Sequence, residues 1–597
     1  MDKLWAVIVL AYAVITICAN FVSALSTPTT SNNKPLKVVV IGGGWAGFSA
    51  ADSLSLVKDA NGAPKFEIEV LDASPRGPGG LAAGWRTPKL NKPVEAGLHG
   101  FWREYQNTFA TMERIGLDLD NVLTPFTPSV LVSDSGRVAL APVLGSDNNP
   151  KNSETAKLDP TSQITNKLAE VLPPPLDLAI LADIDSKNPL TPVDRLSGIG
   201  ALGVWADFGQ EDPESWDRYD KISAENLFKA ISGVTPALYN ELVSPLLHVL
   251  PMTPGYDCSA AAALSCLHVF ALQTRGAFDV RWCRGSITEQ IFNPWSQQLQ
   301  DRGNVQFQGN SKVTSIVEAQ SGDGYTIALN GQEDTIDADC LVLAIGGTSL
   351  KRLLPACPPL TKLPQTKAWK NFRGVTCVAV RLFFESKPLA LTEAMSDSPV
   401  VVCGAKIGDI PQLTETGFCL YDLERLQDSD EVASAVEVDF FRADALADKT
   451  DEEVIDITLR AIASALDLPT LDPETIADTS VVRARDAVSH FCVGSAGWSP
   501  DVKLEKGLYI CGDWIDRKGH ASWSTEKSVV TGIQVATELA KDFGAEPQTE
   551  VIPAASDTAQ LKALRSVART IRGGLPQTLN DSLRPQAPWT LARRFFS

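Results

Sequence analysis

An apolar run, Val38-Val39-Val40-Ile41, drives into three consecutive glycines, Gly42-Gly43-Gly44, and a fourth, Gly47, follows after Trp45 and Ala46. Leu36–Ile41 reads as a short strand with Lys37 its one charge, and residues 46–56 read as a helix. In the spacing Gly42-x-Gly44-x-x-Gly47, the first glycine permits a tight turn. The second lets a diphosphate approach the backbone, and the third lets helix and strand pack closely. The helix start adds unpaired N–H groups and a positive dipole end, so the backbone of Gly42, Gly43, Gly44, Trp45, Ala46 and Gly47 forms one anion-binding turn.

Such a unit should close with a second strand ending in an acid. Phe66–Leu71 is that strand and Asp72 is that acid, placed to accept ribose hydroxyls. The interval from Gly42 to Asp72 is long because Asp59-Ala60-Asn61-Gly62-Ala63-Pro64 reads as an extra loop. Nucleotide binding alone does not separate a nicotinamide from a flavin. The segments that follow do: Gly77-Pro78-Gly79-Gly80 just after the acid, then Val94-Glu95-Ala96-Gly97-Leu98-His99-Gly100-Phe101-Trp102. Far downstream, Gly507-Leu508-Tyr509-Ile510-Cys511-Gly512-Asp513-Trp514 reads as strand, turn and acid, with a helix over 524–539. A chain that leaves its nucleotide domain and returns to it at the far end is built like a large FAD flavoprotein. The fold class expected is α/β, a Rossmann-type FAD domain in discontinuous segments with an inserted α+β substrate domain.

These segments resemble the amine oxidase and carotenoid desaturase superfamily, and within it the plant and algal phytoene and zeta-carotene desaturases. The likeness rests on residues 97–117, on Phe278–Gly285 (FDVRWCRG) leading to residues 301–316, and on residues 339–355, and it covers residues 36–543. It implies that Gly42, Gly44 and Gly47 carry the diphosphate and Asp72 the adenosine ribose. Gly79 and Gly80 would let backbone pass close to the phosphates, and Val313 would contact adenine through its main chain. Asp513, with Gly512, would hold the ribityl or phosphate end, and Thr525 and Glu526 would lie near the flavin's pyrimidine edge. Three positions depart from the pattern: Leu81 and Ser74 stand where the family carries cations, with Arg76 displaced, and Lys527 stands where it has glycine. Lys527 is expected either to turn outward or to lie near that pyrimidine edge and stabilise a reduced anionic flavin.

The resemblance implies oxidation of an apolar isoprenoid, carotenoid-like, at a membrane surface, with FAD accepting hydride and a quinone or oxygen reoxidising it. Desaturation needs a long apolar cavity and no nucleophile or metal. Two alternatives stay open. One is a flavin amine oxidase, with His490, Phe491 and Trp498 lining a pocket. The other is a redox-neutral carotenoid isomerase or a non-catalytic FAD- or carotenoid-binding protein. His99 and His490 are the candidate acid–base groups.

Boundaries expected from the pattern are 1–24 for a leader, 25–35 for a linker, 36–118, 281–359 and 480–543 for the FAD domain, 119–280 and 360–479 for the substrate domain, and 544–597 for a basic tail. The net charge of −19 argues against nucleic acid as a partner. Residues 4–18 are apolar, follow Lys3, and precede Val22-Ser23-Ala24, the pattern of a secretory signal peptide. With residues 25–37, it is expected to direct the chain to a plastid reached by the secretory route; the secretory pathway itself or an uncleaved membrane anchor are the alternatives. None of the 11 cysteines forms a C-x-x-C pair, and the five histidines make no ligand cluster, so free buried thiols are expected and a metal site is not. In the tail, Leu561, Leu564, Val567, Ala568 and Ile571 share a helical face, with Lys562, Arg565, Arg569 and Arg572 mainly on another. Such a helix can dock on its own acidic body or on anionic lipid.

Overall fold

A computed structural model describes residues 34–141 and 190–573, apart from residues 275, 332, 333 and 428. The leader pattern and the last residues, including Arg593-Arg594-Phe595-Phe596, lie outside the described residues. Strand β1 (Leu36–Ile41) feeds helix α1 (Trp45–Ser55), which returns to strand β2 (Phe66–Leu71). The intervening loop closes on itself, because Asp59 Oδ1 accepts from the N–H of Asn61 at 2.8 Å and of Ala63 at 2.9 Å. β1 and β2 stand in the middle of a six-stranded sheet, ordered 503–505, 508–510, 340–343, β1, β2, 305–308. Parallel pairing joins Val38 to Cys340, Leu341 to Leu508 and Ile68 to Val305, so three distant stretches of chain complete one nucleotide-binding sheet.

Helix α2 (Gln106–Arg114) and the long helix α4 (Thr525–Asp542) pack on this frame, and the helices α3 (Pro192–Asp207) and α5 (Ala559–Gly573) pack on each other. α4 packs backbone to backbone on α1. A Cβ on Gly532 would lie 2.6 Å from the Ala46 carbonyl oxygen and 2.8 Å from the Ala50 nitrogen. Ser49 Oγ donates to the Val529 carbonyl at 2.8 Å across the same contact. Only a glycine facing small residues admits this approach.

The second sheet has seven strands, ordered 476–489, 374–384, 435–441, 417–422, 400–403, 129–133, 136–141. Its alternation separates two faces. Val378, Val380, Leu382, Val436, Val438 and Phe440 form a core with the helix Asp451–Leu466. Cys377, Cys419, Tyr421 and Phe441 pack on the other face against Val94, Leu98 and Trp282 of the first domain's connections. The strand Ile476–Ser489 pairs with Gly374–Phe384 along most of its length, which carries the second sheet past the boundary expected at residues 479 and 480. The pairing is set by residues up to Ser489, opposite Gly374.

Glu526, in the first turn of α4, joins the two ends of the nucleotide domain. One carboxylate oxygen accepts from the N–H of Asn107 at 2.9 Å and from its Nδ2 at 2.7 Å; the other accepts from the N–H and Oγ1 of Thr108 at 2.9 and 2.7 Å. The two backbone N–H groups are orphan donors at the start of α2. Asn107 also grips the C-terminal strap, receiving the Ile552 N–H at 2.7 Å and donating to its carbonyl at 2.9 Å. Replacing Glu526 by Ala strands four buried donors and is expected to cost at least ~3 kcal/mol in unfolding free energy, with Glu526→Gln intermediate, measured by denaturant unfolding.

Candidate functional site

The glycines of the turn have separable roles. Gly42 has φ +116°, and a Cβ there would stand 2.2 Å from the Ala344 carbonyl oxygen. A Cβ on Gly47 would stand 1.9 Å from the Gly42 carbonyl oxygen. Both are therefore required by protein packing. Gly44 is different: its nearest neighbours would be Gly79 O at 3.6 Å and Gly80 Cα at 3.7 Å, ordinary contacts. Among the described residues nothing forbids a side chain at Gly44, so the constraint lies on its open side, where the first turn of α1 has no side-chain cap and no acid. The second glycine cluster closes over the first, with the Gly79 N–H donating to the Gly43 carbonyl at 2.8 Å. This cradle fits a diphosphate.

Asp72 is buried at the end of β2. Its Oδ2 accepts from the Gly43 N–H at 2.6 Å and its Oδ1 from the Ser74 N–H at 2.7 Å, so the acid pins the turn and keeps lone pairs for a ribose. The Ser311 N–H donates to the Asp72 carbonyl at 2.7 Å, which draws half-buried Val313, the first residue of the strand Val313–Glu318, to this end. At the other end, Gly512 (φ +148°) donates its N–H to Thr531 Oγ1 at 2.9 Å. Asp513 accepts from Ser489 Oγ at 3.2 Å, and burial pushes its carboxyl up to about 6. Beyond it, Phe372, Trp498 and Trp514, with Gly347, Arg373 and His490, line a cavity of about 20 Å3. Trp369 stacks behind Phe372. Thr525, half-buried, begins α4 beside Ser524, whose hydroxyl caps the Lys527 N–H at 3.0 Å.

Residues 45–540 match the sequence profile of flavin-containing amine oxidoreductases. The chain belongs to that family. Its cofactor is FAD, and it is an FAD-dependent oxidoreductase of the amine oxidase and carotenoid desaturase superfamily. It is 24% identical over 539 residues to the 15-cis-phytoene desaturase of Capsicum annuum, 88% of this chain and 81% of that protein. It is 27% identical over 331 residues to the zeta-carotene desaturase of a Synechocystis strain, 54% of this chain and 59% of that protein. The fold is shared with a cyclohexylamine oxidase from Brevibacterium oxydans, at a TM-score of 0.58 and 16% identity, over 86% of this chain and all of that one.

Several side chains stand apart from the expected roles. Both Glu526 oxygens are engaged by Asn107 and Thr108, so this acid holds helix α2; any influence on the flavin would pass through the backbone of α4. Lys527 does not turn outward. It is 1% exposed and its Nζ donates to the Lys518 carbonyl at 2.7 Å. Burial lowers its ammonium to about 8, and its bond fixes the loop between Asp513 and Trp523, whose N–H donates to the Asp513 carbonyl at 3.0 Å. Leu81 is 54% exposed, and the displaced Arg76 stacks on Trp85 at 3.9 Å. Arg517, which no sequence motif marks, is a second buried cation, within this loop itself. Its guanidinium bonds Ser495, stacks on Phe491 at 4.3 Å, and is lowered by burial to about 10. No spacing marks it; its depth is visible only once Phe491 and Asp513 are brought together.

The two candidate histidines have separate surroundings. His99 Nδ1 is buried without a hydrogen-bond partner among the described residues, and desolvation lowers the imidazole to about 4. His490 Nε2 faces Asp257 at 3.4 Å, and burial lowers it to about 4 despite that carboxylate. Both rings are neutral at pH 7. The ten cysteines from Cys258 to Cys511 are free and buried.

Under the Gly97–His99 turn lies a buried polar cluster. Asp439 Oδ2 accepts from the Leu98 N–H at 2.8 Å, Glu437 pairs with Arg381, and Arg381 donates to the Pro93 carbonyl at 2.7 Å. Glu95 accepts from the Ile287 N–H at 2.7 Å and burial pushes its carboxyl up to about 8.

Two tests follow from this geometry. Gly47→Ala should destabilise the flavin-free protein by about 1–3 kcal/mol. Gly44→Ala should leave flavin-free stability within about 0.5 kcal/mol while abolishing retention of FAD, read as released flavin per chain. For Glu95, only the folded state holds the proton between its ordinary 4.5 and about 8, so stability falls as pH rises across that window. Glu95→Gln should reduce the slope, read as thermal midpoints at the two ends of the window. Asp439, also pushed upward by burial, acts in the same direction.

Proposed function

We propose that this protein removes hydrogen from an apolar isoprenoid chain of the carotenoid type. The observation that carries the reading is the wall between the Gly97–His99 turn and the second sheet. Val94, Leu98, Trp282, Cys377, Tyr421 and Phe441 form it, with half-buried Trp85, Trp102, Val249 and Met252 beside them. Apart from the Arg381–Glu437 pair, which neutralises itself, the ionisable groups beside this wall are pushed toward their uncharged forms: Glu95, Asp439, the cysteine thiols and Tyr421 are all pushed up by desolvation. Such a wall suits a hydrocarbon and supplies little counter-charge for an ion.

When bound, FAD supplies hydride acceptance. The chain's own task is to hold the diphosphate on the Gly42–Gly47 turn, orient the cofactor with the Asp513 loop, and exclude water with the aromatic cluster around Phe372 and Trp514. Loss of hydride from one carbon must be matched by loss of a proton from its neighbour. His99, held toward its neutral form by burial, is the proposed acceptor on the Gly97–His99 turn. The relatives named as phytoene and zeta-carotene desaturases support the substrate class. A quinone is the proposed terminal oxidant.

A second reading, oxidation of a cationic amine, is favoured by one observation: three acidic side chains, Glu95, Glu437 and Asp439, lie around the guanidinium of Arg381, more acid groups than that one cation can pair. The two readings separate in one assay. The protein, loaded with FAD, is incubated in liposomes with phytoene or zeta-carotene and a soluble quinone, and in parallel with primary amines and oxygen. A longer polyene chromophore in the extracted lipid is the expected result. Aldehyde and hydrogen peroxide from the amines, with the carotene unchanged, would replace this reading by the second.

A further inference from the structure

Helix α5 is tied to the body by one side and leaves another uncovered. Leu561, Arg565 and Ala568 are buried, at 2%, 6% and 0% exposure. Arg565 Nε bonds Asp557 at 2.6 Å, and its guanidinium reaches the Ala206 carbonyl of α3 at 3.5 Å. The strap leading into α5 is pinned in turn, since Gln273 donates to the Ala555 carbonyl and His268 faces Asp557 at 3.5 Å. Leu564 and Val567, which the sequence pattern puts with Leu561, are 46% and 52% exposed. The helix therefore carries more apolar surface than docking covers.

The neighbouring helix α3 repeats the feature. Val193, Leu196 and Ile199, at three-residue intervals, are 68%, 63% and 64% exposed. Among the described residues, five of the twelve exposed large apolar side chains belong to these two helices, which pack against each other. Chance scatter would spread them over the surface. The charges beside them are basic: Lys562 and Arg569 on α5 and Arg195 on α3 are exposed. α5 carries no acidic residue over Ala559–Gly573, although the whole chain has a net charge of −19. On α3, Asp194 is engaged with Thr191 and Thr235.

We propose that the paired faces of α3 and α5 form a docking surface for an anionic lipid bilayer. Leu196, Ile199, Leu564 and Val567 would enter the acyl boundary, with Arg195, Lys562 and Arg569 at the headgroups. Charge complementarity selects this occupant: an anionic surface attracts this face and repels most of the remaining molecule, which fixes the orientation of approach. A basic, apolar face pinned to the protein body binds as a flat patch and need not cross the bilayer. The inference is independent of the substrate reading, because an amine oxidase could dock in the same way.

The test uses a readout local to the face, since an apolar leader could itself bring the full chain to vesicles. The native cysteines from Cys258 to Cys511 are buried, so in a Cys18→Ser background a thiol-reactive fluorophore reports on an introduced exposed cysteine. Full-chain Leu196→Cys and Val567→Cys proteins are labelled and mixed with vesicles of phosphatidylcholine containing brominated acyl chains, with or without phosphatidylglycerol. Leu389→Cys, 71% exposed and distant in sequence, is the reference. Quenching at positions 196 and 567 with anionic vesicles, weak on neutral ones and absent at 389, is expected. Lys562→Glu with Arg569→Glu should weaken that quenching affinity by at least about thirtyfold. Equal quenching at all three positions, none at 196 and 567, or an unchanged affinity in the charge-reversed protein would overturn the proposal. So would a concentration-dependent dimer that Leu196→Ser abolishes while vesicles leave the labels unquenched, since the face would then join two copies of this chain.

Discussion

The closest approach between α1 and α4 is the contact on which the molecule depends. Residues separated by nearly the whole described chain meet where Gly532 faces the Ala46 carbonyl and the Ala50 nitrogen with no room for a methyl group. That contact closes the nucleotide-binding sheet into one domain, places the first turn of α4 beside the glycine turn, and so fixes where a flavin can lie relative to its own diphosphate. Its energetic character is packing, with one hydroxyl bond from Ser49, and packing at backbone distance is intolerant of added volume.

The chemistry inside is governed by desolvation. His99, His490 and Lys527 are all shifted toward their uncharged forms, and Asp513, Glu95 and Asp439 likewise. The charges that persist are paired or stacked: Arg381 with Glu437, and Arg517 over Phe491. An interior that suppresses charge beside a bound flavin suits removal of hydride from a hydrocarbon and leaves no thiolate or activated hydroxyl to compete. Glu526 shows the complementary arrangement: a carboxylate at a helix start, satisfied by four donors, used for construction.

Much of the cofactor half was legible in the sequence because its constraints are local. A strand, a glycine turn and a helix sit within twenty residues of one another, and β1, β2 and the strand before Gly512 occupy the stretches the pattern indicates. Helix α4 runs to Asp542, a turn beyond the expected end, because no glycine or proline follows Leu539 until Gly544. What the sequence could not supply is direction. Glu437 and Asp439 alternate with Val436, Val438 and Phe440, which announces two faces and not which face meets the Gly97–His99 turn. Lys527 could have pointed to solvent or to the flavin; the carbonyl of Lys518 decides its position. The substrate region is harder still, since a tunnel wall and a core wall use the same residues, and the exposed faces of α3 and α5 emerge only when the packing that covers Leu561 and Ala568 is known.

The central claim is that a flavin held by this frame takes hydride from a neutral polyene. Anaerobic mixing of the FAD-loaded protein with carotene in liposomes, followed at the visible flavin band, tests it most directly because no reoxidant or product assay intervenes. The account calls for bleaching by phytoene or zeta-carotene and an unchanged spectrum with primary amines and polyamines. Bleaching by amines alone, or a flavin that binds and responds to neither, would contradict it.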